Sequence, residues 1–310
     1  MKIKIMTTGH YVPETVMTNE DFSKLLETND EWITTRTGIK KRHIIKNDEN
    51  VVDLAYKAAL HAINKSNYDV SKIDLLIVAT ITNPVKTPSV ANLVQARLGL
   101  NNNKLASFDI NAACSGFVYA LEVASSLINS GNYKSALVIG AEHMSSIIDY
   151  TDRSTAILFG DGSGAAIIEK SDDENDEVYF YNGAKGDDTK ILWIDPKVKM
   201  DGKEVYKFAV DIMPKAIDIV LKKANLSIDD IDVIIPHQAN LRIIQSVAKD
   251  MGLPLEKFVV NIQEYGNTSS ASIPISLDQY NDTKFDKKTK KVLFVGFGGG
   301  FTWGASILNI

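Results

Sequence analysis

A single cysteine, Cys114, occurs among the 310 residues. One thiol excludes an intramolecular disulfide and any metal site built from several cysteines, and no metal is expected. Long apolar runs are missing as well. None approaches the ~20 residues that cross a bilayer, and the opening MKIKIMTTGHYVP lacks the apolar core of a signal peptide. Positive charge is not in excess: 34 Lys and Arg face 39 Asp and Glu, for a net charge of −5. That balance provides no general attraction to nucleic acid or anionic membrane, so an acidic partner needs a local basic patch. Together these absences predict a cytoplasmic protein without nucleic-acid or membrane partners.

What is present is a core-forming composition, 45% hydrophobic and 24% charged, as in globular proteins. Short apolar runs alternate with helical patterns, which predicts α/β layers. Ile73–Thr80, Leu105–Asn111, Ala136–Ala141, Ile231–Pro236, Phe258–Ile262 and Val292–Gly296 read as buried strands. The stretch Val51–Asn64 reads as an amphipathic helix, with Lys57, His61 and Asn64 opposite Ala55, Ala58, Ala59, Ala62 and Ile63. Another helix runs from about Ser115 to Ser130 and stops at Gly131.

Four segments recur in the same order. SKIDLLIVATITN, FDINAACSGF, ALVIGAEH and FGDGSGAAIIE are followed later by DDIDVIIPHQAN, VVNIQEYGNTSSAS, VLFVGFGGG and FTWGASILNI. The acidic stretch Lys170–Glu177 between them reads as a solvated loop. The expectation is two similar α/β halves, 1–170 and 171–310, with the active site between them. A single doubly wound domain leaves the matching ends GSGAAII and WGASILN unexplained.

Cys114 sits where a strand-like FDINAAC passes into a helical SGFVYALEVASSLINS. First-turn N–H groups and the helix dipole favour a thiolate there, and Ala112, Ala113, Ser115 and Gly116 leave access to the sulfur. A lone cysteine also fits an inert, buried site. Of the five histidines, His10, His43, His61 and His143 read as structural. His237 ends an apolar strand, the place where α/β sheets present ligands. Asn267 follows a strand in the same way, although Gly-Asn-Thr-Ser equally suits a capped turn. The run Phe297-Gly298-Gly299-Gly300-Phe301 can supply half an oxyanion hole or a flexible turn. Asp161, in FGDGSG, has no nucleophile or base beside it and reads as structural.

At these residues the sequence resembles the β-ketoacyl-[acyl-carrier-protein] synthase III family over essentially its whole length. The motifs are Asn29-Asp30-Glu31-Trp32-Ile33 with Thr35-Arg36-Thr37-Gly38-Ile39, Ala112-Ala113-Cys114-Ser115-Gly116-Phe117, and Thr151-Asp152-Arg153 leading to Phe159-Gly160-Asp161-Gly162. Pro236-His237-Gln238-Ala239-Asn240, Gly266-Asn267-Thr268-Ser269 and the glycine run with Thr302-Trp303-Gly304 complete them. The resemblance implies a thiolase fold, two duplicated halves in a five-layered αβαβα sandwich. It implies Cys114 as the acylated nucleophile, His237 and Asn267 as the decarboxylation pair, and the N–H groups of Cys114 and Gly299 as the oxyanion hole. Trp32 and Arg153 match a clamp on the coenzyme A adenine; Thr28, Arg36, Tyr206 and Asn240 match the coenzyme A channel. Tyr206 stands where some relatives have Phe. Arg242 and Lys249 match a basic patch for an acidic carrier protein, and ordinary solvation is the other reading of Lys249. Thr87 replaces a Phe that, in many relatives, closes the partner subunit's acyl pocket.

The expected reaction joins an acyl-CoA primer to malonyl-[acyl-carrier-protein] with loss of CO2, in a homodimer, with coenzyme A thioester as substrate and no cofactor. A thiolase needs a second cysteine, and the elongating synthases place a second His where this chain has Asn267. A non-catalytic homologue usually lacks the nucleophile. A papain-like hydrolase shares the order Cys, His, Asn but not the local signature around the cysteine. A secondary-metabolite condensing or acyltransfer enzyme of the same fold, and an acyl-CoA binding module, stay open.

Overall fold

The computed structural model describes residues 1–46, 48–101, 104–283 and 290–310. The apolar runs become the central strands of two large mixed sheets. In the first, the order is Ile3–Tyr11, Gly162–Lys170, Ser135–Glu142, Leu75–Ala79, Ala106–Ile110. The last three are parallel, and Gly162–Lys170 is antiparallel to both of its neighbours. The second sheet repeats this scheme with Tyr179–Ala184, Thr302–Asn309, Lys291–Gly298 and Val233–Pro236.

The repeat is incomplete at one edge. Where the first sheet has Ala106–Ile110, the second has only a parallel bridge between Ile234 and Phe258. The expected strand Phe258–Ile262 is therefore corrected: Ile262–Tyr265 is a helical turn. The buried Gln238 side chain is the reason. It donates to the Val259 carbonyl at 3.0 Å and accepts from the Asn261 N–H at 3.1 Å, taking bonds that a ladder would use.

Strand alternation sorts the side chains into layers. Leu75, Ile77 and Ala79 meet Phe117 and Leu121 of the helix Gly116–Asn129, whereas Leu76 and Val78 meet Ala55 and Ala59 of the helix Val51–Ser66. In the second sheet Val233, Ile235, Val292 and Phe294 face the same centre. Ile234, Leu293 and Val295 face Ile217 and Ile244, on the helices Gly202–Ala224 and Leu241–Asp250. With the helix Ser272–Thr283 beside Gly116–Asn129, the order is helix, sheet, helix, sheet, helix. The sheet comes close to the turn Ser269–Ala271 that enters the central helix at Gly140, where a Cβ would lie 2.4 Å from the Ser270 carbonyl oxygen. Among the described residues no helix is long and apolar enough to cross a membrane.

Candidate active site

Cys114 lies in a single turn, Ala113–Ser115, that precedes the helix Gly116–Asn129. Ala113 enters it at φ +47°, a left-handed conformation that costs a residue with a Cβ. The corner is held from the second half of the chain. Thr302 Oγ1 donates to the Ala112 carbonyl at 2.8 Å and lies 2.6 Å from Ser115 Oγ. The glycine run passes directly over the nucleophile: a Cβ on Gly298 would come within 2.6 Å of the Cys114 nitrogen.

His237 follows the strand Val233–Pro236, and its own N–H donates to the Val295 carbonyl at 2.8 Å. Its ring is buried, with Nδ1 at 2.7 Å from Ser272 Oγ. Ser272 Oγ also accepts the Gln238 N–H at 3.3 Å, and a serine hydroxyl with one proton and a second lone pair can meet Nδ1 in either neutral tautomer. Burial alone holds the imidazole down, at about 3, so it stays uncharged at neutral pH. Asn267 is likewise buried. Its Oδ1 accepts the Ser269 N–H at 2.8 Å, which leaves its amide N–H groups as donors. Its turn is strained in the same way as the Cys114 corner, with Ser269 at φ +49°.

The thiol departs from expectation. Burial pushes Cys114 up to about 12, and the Glu142 charge adds to it. The turn before the helix does not outweigh the low-dielectric surroundings. Glu142 was not legible as a site residue, although a charge ending the apolar run SALVIGA is an anomaly in itself. Ser269 and Ser272 were also missed, since serines near a turn carry no distinctive signal. Asp161 is structural as expected: buried, it accepts from Ser145 N at 2.8 Å, Ser145 Oγ at 2.6 Å and Ile45 N at 2.7 Å. His10 and His61 meet the buried Asp278, which also holds Lys65.

A cavity of about 620 Å³ joins Cys114, His237, Asn267 and Gly299 to Trp32, Arg36, Tyr206, Asn240 and Arg242. Its inner end is buried and its outer end carries the exposed Arg36 and Arg242. At that end the guanidinium carbons of Arg36 and Arg153 lie 4.5 and 4.7 Å from the Trp32 ring centroid. The ring and Arg153 are in contact, and a flat ligand between them requires one to move. Asn240 caps the helix Leu241–Asp250 through its Oδ1, 2.9 Å from Arg242 N. Tyr206 reaches Ser246 Oγ at 2.6 Å. Thr28 lies outside the lining, its Oγ1 buried without a hydrogen-bond partner among the described residues. Lys249 is exposed and also outside, seven residues along the helix from Arg242. Thr87 sits on an exposed loop, away from its own chain's cavity.

Residues 108–186 match the family described as 3-oxoacyl-[acyl-carrier-protein] synthase III, and residues 221–310 its C-terminal part. A β-ketoacyl-[acyl-carrier-protein] synthase III of Acholeplasma laidlawii is 69% identical over 310 residues, covering 100% of this chain and 99% of the relative. The chain belongs to the β-ketoacyl-[acyl-carrier-protein] synthase III family. Another member, from Clostridium acetobutylicum, is 48% identical over 99% of this chain and 98% of its own. The crystal structure of the Aquifex aeolicus enzyme superposes with a TM-score of 0.95 at 45% identity, covering 99% of this chain and 100% of that one. The five layers are thus those of the thiolase fold. As a member of this family the chain is an acyltransferase whose condensation initiates fatty-acid synthesis.

Proposed function

We propose that Cys114 takes an acyl group from an acyl-CoA and passes it to malonyl-[acyl-carrier-protein], giving 3-oxoacyl-[acyl-carrier-protein], coenzyme A and CO2. The observation that carries this reading is the single cavity running from Cys114, His237 and Asn267 to a mouth rimmed by Trp32, Arg36 and Arg242. An aromatic ring and guanidinium groups suit a nucleotide with phosphates.

Attack by the Cys114 sulfur on the thioester carbon develops charge on oxygen, which the N–H groups of Cys114 and Gly299 stabilise. Coenzyme A departs and the malonyl thioester enters by the same cavity. Loss of CO2 then leaves an enolate. His237 Nε2–H and the Asn267 amide donate to its oxygen, and both are neutral, so neither has to change charge. The carbanion attacks the acyl group on Cys114, and the sulfur is released.

Thr28, Tyr206, Asn240 and Arg153 complete the coenzyme A path in this reading, and Arg242 with Lys249 meets the acidic carrier protein. The protein acts as a homodimer divided internally at 170/171. Supporting this, Ala106–Ile110 is an edge strand with half-buried Phe108 and Ile110, and such edges invite pairing. The loop holding Thr87 and the exposed Val85 lies beside it, with Asn83 Nδ2 on Asp109 at 2.6 Å. Incubation with a panel of acyl-CoAs followed by intact-protein mass spectrometry is the test. The expected result is one acyl group on Cys114 and none on Cys114→Ala; acylation of the variant removes the assignment.

A further inference from the structure

Glu142 is fully buried at the end of the strand Ser135–Glu142, and its hydrogen-bond partners are neutral groups from both halves of the chain. From the first half, Thr82 Oγ1 donates to Oε2 at 2.9 Å and Ile81 N at 3.1 Å, with Thr80 Oγ1 at 3.3 Å. From the second half, Ser269 Oγ donates to Oε1 at 3.0 Å, and Ser270 Oγ stands 2.8 Å from both Oε1 and the Ala79 carbonyl. A buried carboxylate without a cation is costly even when hydrogen-bonded, so filling this space gives no reason for one. The reason lies in what its two oxygens join: the segment 80–82 on one side and the turn after Asn267 on the other.

Backbone bonds decide where Asn267 sits. Its N–H donates to the Leu158 carbonyl at 2.9 Å, and its carbonyl accepts the Gly160 N–H at 3.1 Å. Which way its amide faces is set by the Ser269 N–H, which donates to Asn267 Oδ1 at 2.8 Å. Ser269 makes that bond at φ +49°, a conformation that a residue with a Cβ keeps only where its surroundings enforce it. The same residue thus meets Asn267 with its backbone N–H and Glu142 with its hydroxyl. We propose that Glu142 is a positioning residue for Asn267: through Ser269 it holds Oδ1 toward the turn and leaves the amide N–H groups facing the cavity. This rests on the reading above of Asn267 as a donor to the decarboxylation enolate. The Cys114 corner is tied by different bonds, those of Ser115 and Thr302, so loss of Glu142 is expected to separate the two half-reactions.

The half-reactions are read separately, as release of labelled CO2 from malonyl-[acyl-carrier-protein] and as acylation of Cys114 by acetyl-CoA, followed by intact mass. Glu142→Ala is expected to lose decarboxylation by about 100-fold, the loss expected for Asn267→Ala, and to acylate near the wild-type rate. Glu142→Gln is expected to restore most of the decarboxylation. Its carbonyl still accepts the Ile81 N–H, and its NH2 donates to Ser269 Oγ, whose hydroxyl can turn to accept. Because both residues act at one point, the losses do not add: Glu142→Ala with Asn267→Ala is expected to be no slower than Asn267→Ala alone. Equal losses in both half-reactions, a Gln variant as slow as the Ala variant, or additive losses in the double variant overturns the proposal. If Glu142→Ala does not fold, Thr82 decides, since it grips Oε2 from outside the cavity lining. Thr82→Val is expected to slow decarboxylation by about tenfold, the scale of one hydrogen bond to a charged group, with acylation spared; Thr82→Ser is expected to keep both. A Val variant that keeps decarboxylation, or slows both half-reactions equally, overturns the proposal. Asn267→Ala that retains decarboxylation removes the reading of Asn267 beneath it. Asn267→Ala that loses decarboxylation beside an unaffected Glu142→Ala removes the role of Glu142 alone.

Discussion

Replacing Gly298 by alanine tests how tightly the glycine run holds the nucleophile. The added Cβ would lie 2.6 Å from the Cys114 nitrogen and 2.9 Å from the Ala113 Cβ, against the 3.4 Å at which ordinary contact begins. Relief requires a shift of about 0.8 Å, the difference between 3.4 and 2.6 Å. No flexible side-chain end is available to supply it: one neighbour is backbone, and the other belongs to a residue already at φ +47°. The corner is also tied down by Ser115 and Thr302. Overpacking of this kind costs roughly 1–3 kcal/mol of stability. A displacement on the order of 1 Å at a reacting atom costs about 100-fold in rate. Gly299→Ala is the contrast, because the three atoms nearest its Cβ all belong to Leu192, with the side chain at 3.2 and 3.3 Å, and that side chain can turn away. The assay is the rate of Cys114 acylation by acetyl-CoA, read by intact mass, beside thermal melts of both variants. Gly298→Ala acylating at the wild-type rate with an unchanged melt refutes the reasoning.

Asn267→Ala is expected to lose malonyl decarboxylation by ~100-fold or more, as for a lost oxyanion donor, while Cys114 still accepts an acyl group; the two half-reactions are assayed separately. Asp278 is buried, yet hydrogen bonds from His10, Lys65 and Thr8 outweigh that burial and hold its carboxyl well below the usual range. Its contribution is present above the unfolded carboxylate value of about 4 and is lost as pH falls below it. Asp278→Asn therefore costs about 1–3 kcal/mol at pH 7, the scale of lost hydrogen bonds to a charged group, and flattens the acid limb of a melting-temperature profile. Lys249→Glu is expected to raise KM for malonyl-[acyl-carrier-protein], salt-dependently, and to spare acyl-CoA. Arg242→Glu affects both substrates because Arg242 also lines the cavity. Thr87→Phe is expected to lower kcat/KM for hexanoyl-CoA relative to acetyl-CoA, at ~0.8 kcal/mol for each displaced methylene; equal ratios in both proteins detach Thr87 from chain length.

The sequence by itself determined the layers and the order of the site. Apolar runs such as Leu75–Ala79, buried on both faces, are strands because hydrophobic periodicity is local information. The four-segment repeat already contained the doubled topology, and Cys114, His237 and Asn267 stand at the ends of elements where α/β sheets present chemistry. Only the tertiary structure decided what depends on neighbours remote in sequence. The thiol is pushed up rather than down because burial at the junction of two halves outweighs the turn that holds it. Residue 258 pairs with a strand while 262 begins a helix because Gln238, some twenty residues earlier, takes the intervening backbone bonds. The buried His237 ring is met by Ser272, 35 residues further along the chain, and the partners of Glu142 come from residues 80–82 and 269–270. Desolvation and hydrogen-bond partnership belong to the packed site, and no pattern along the chain encodes them residue by residue.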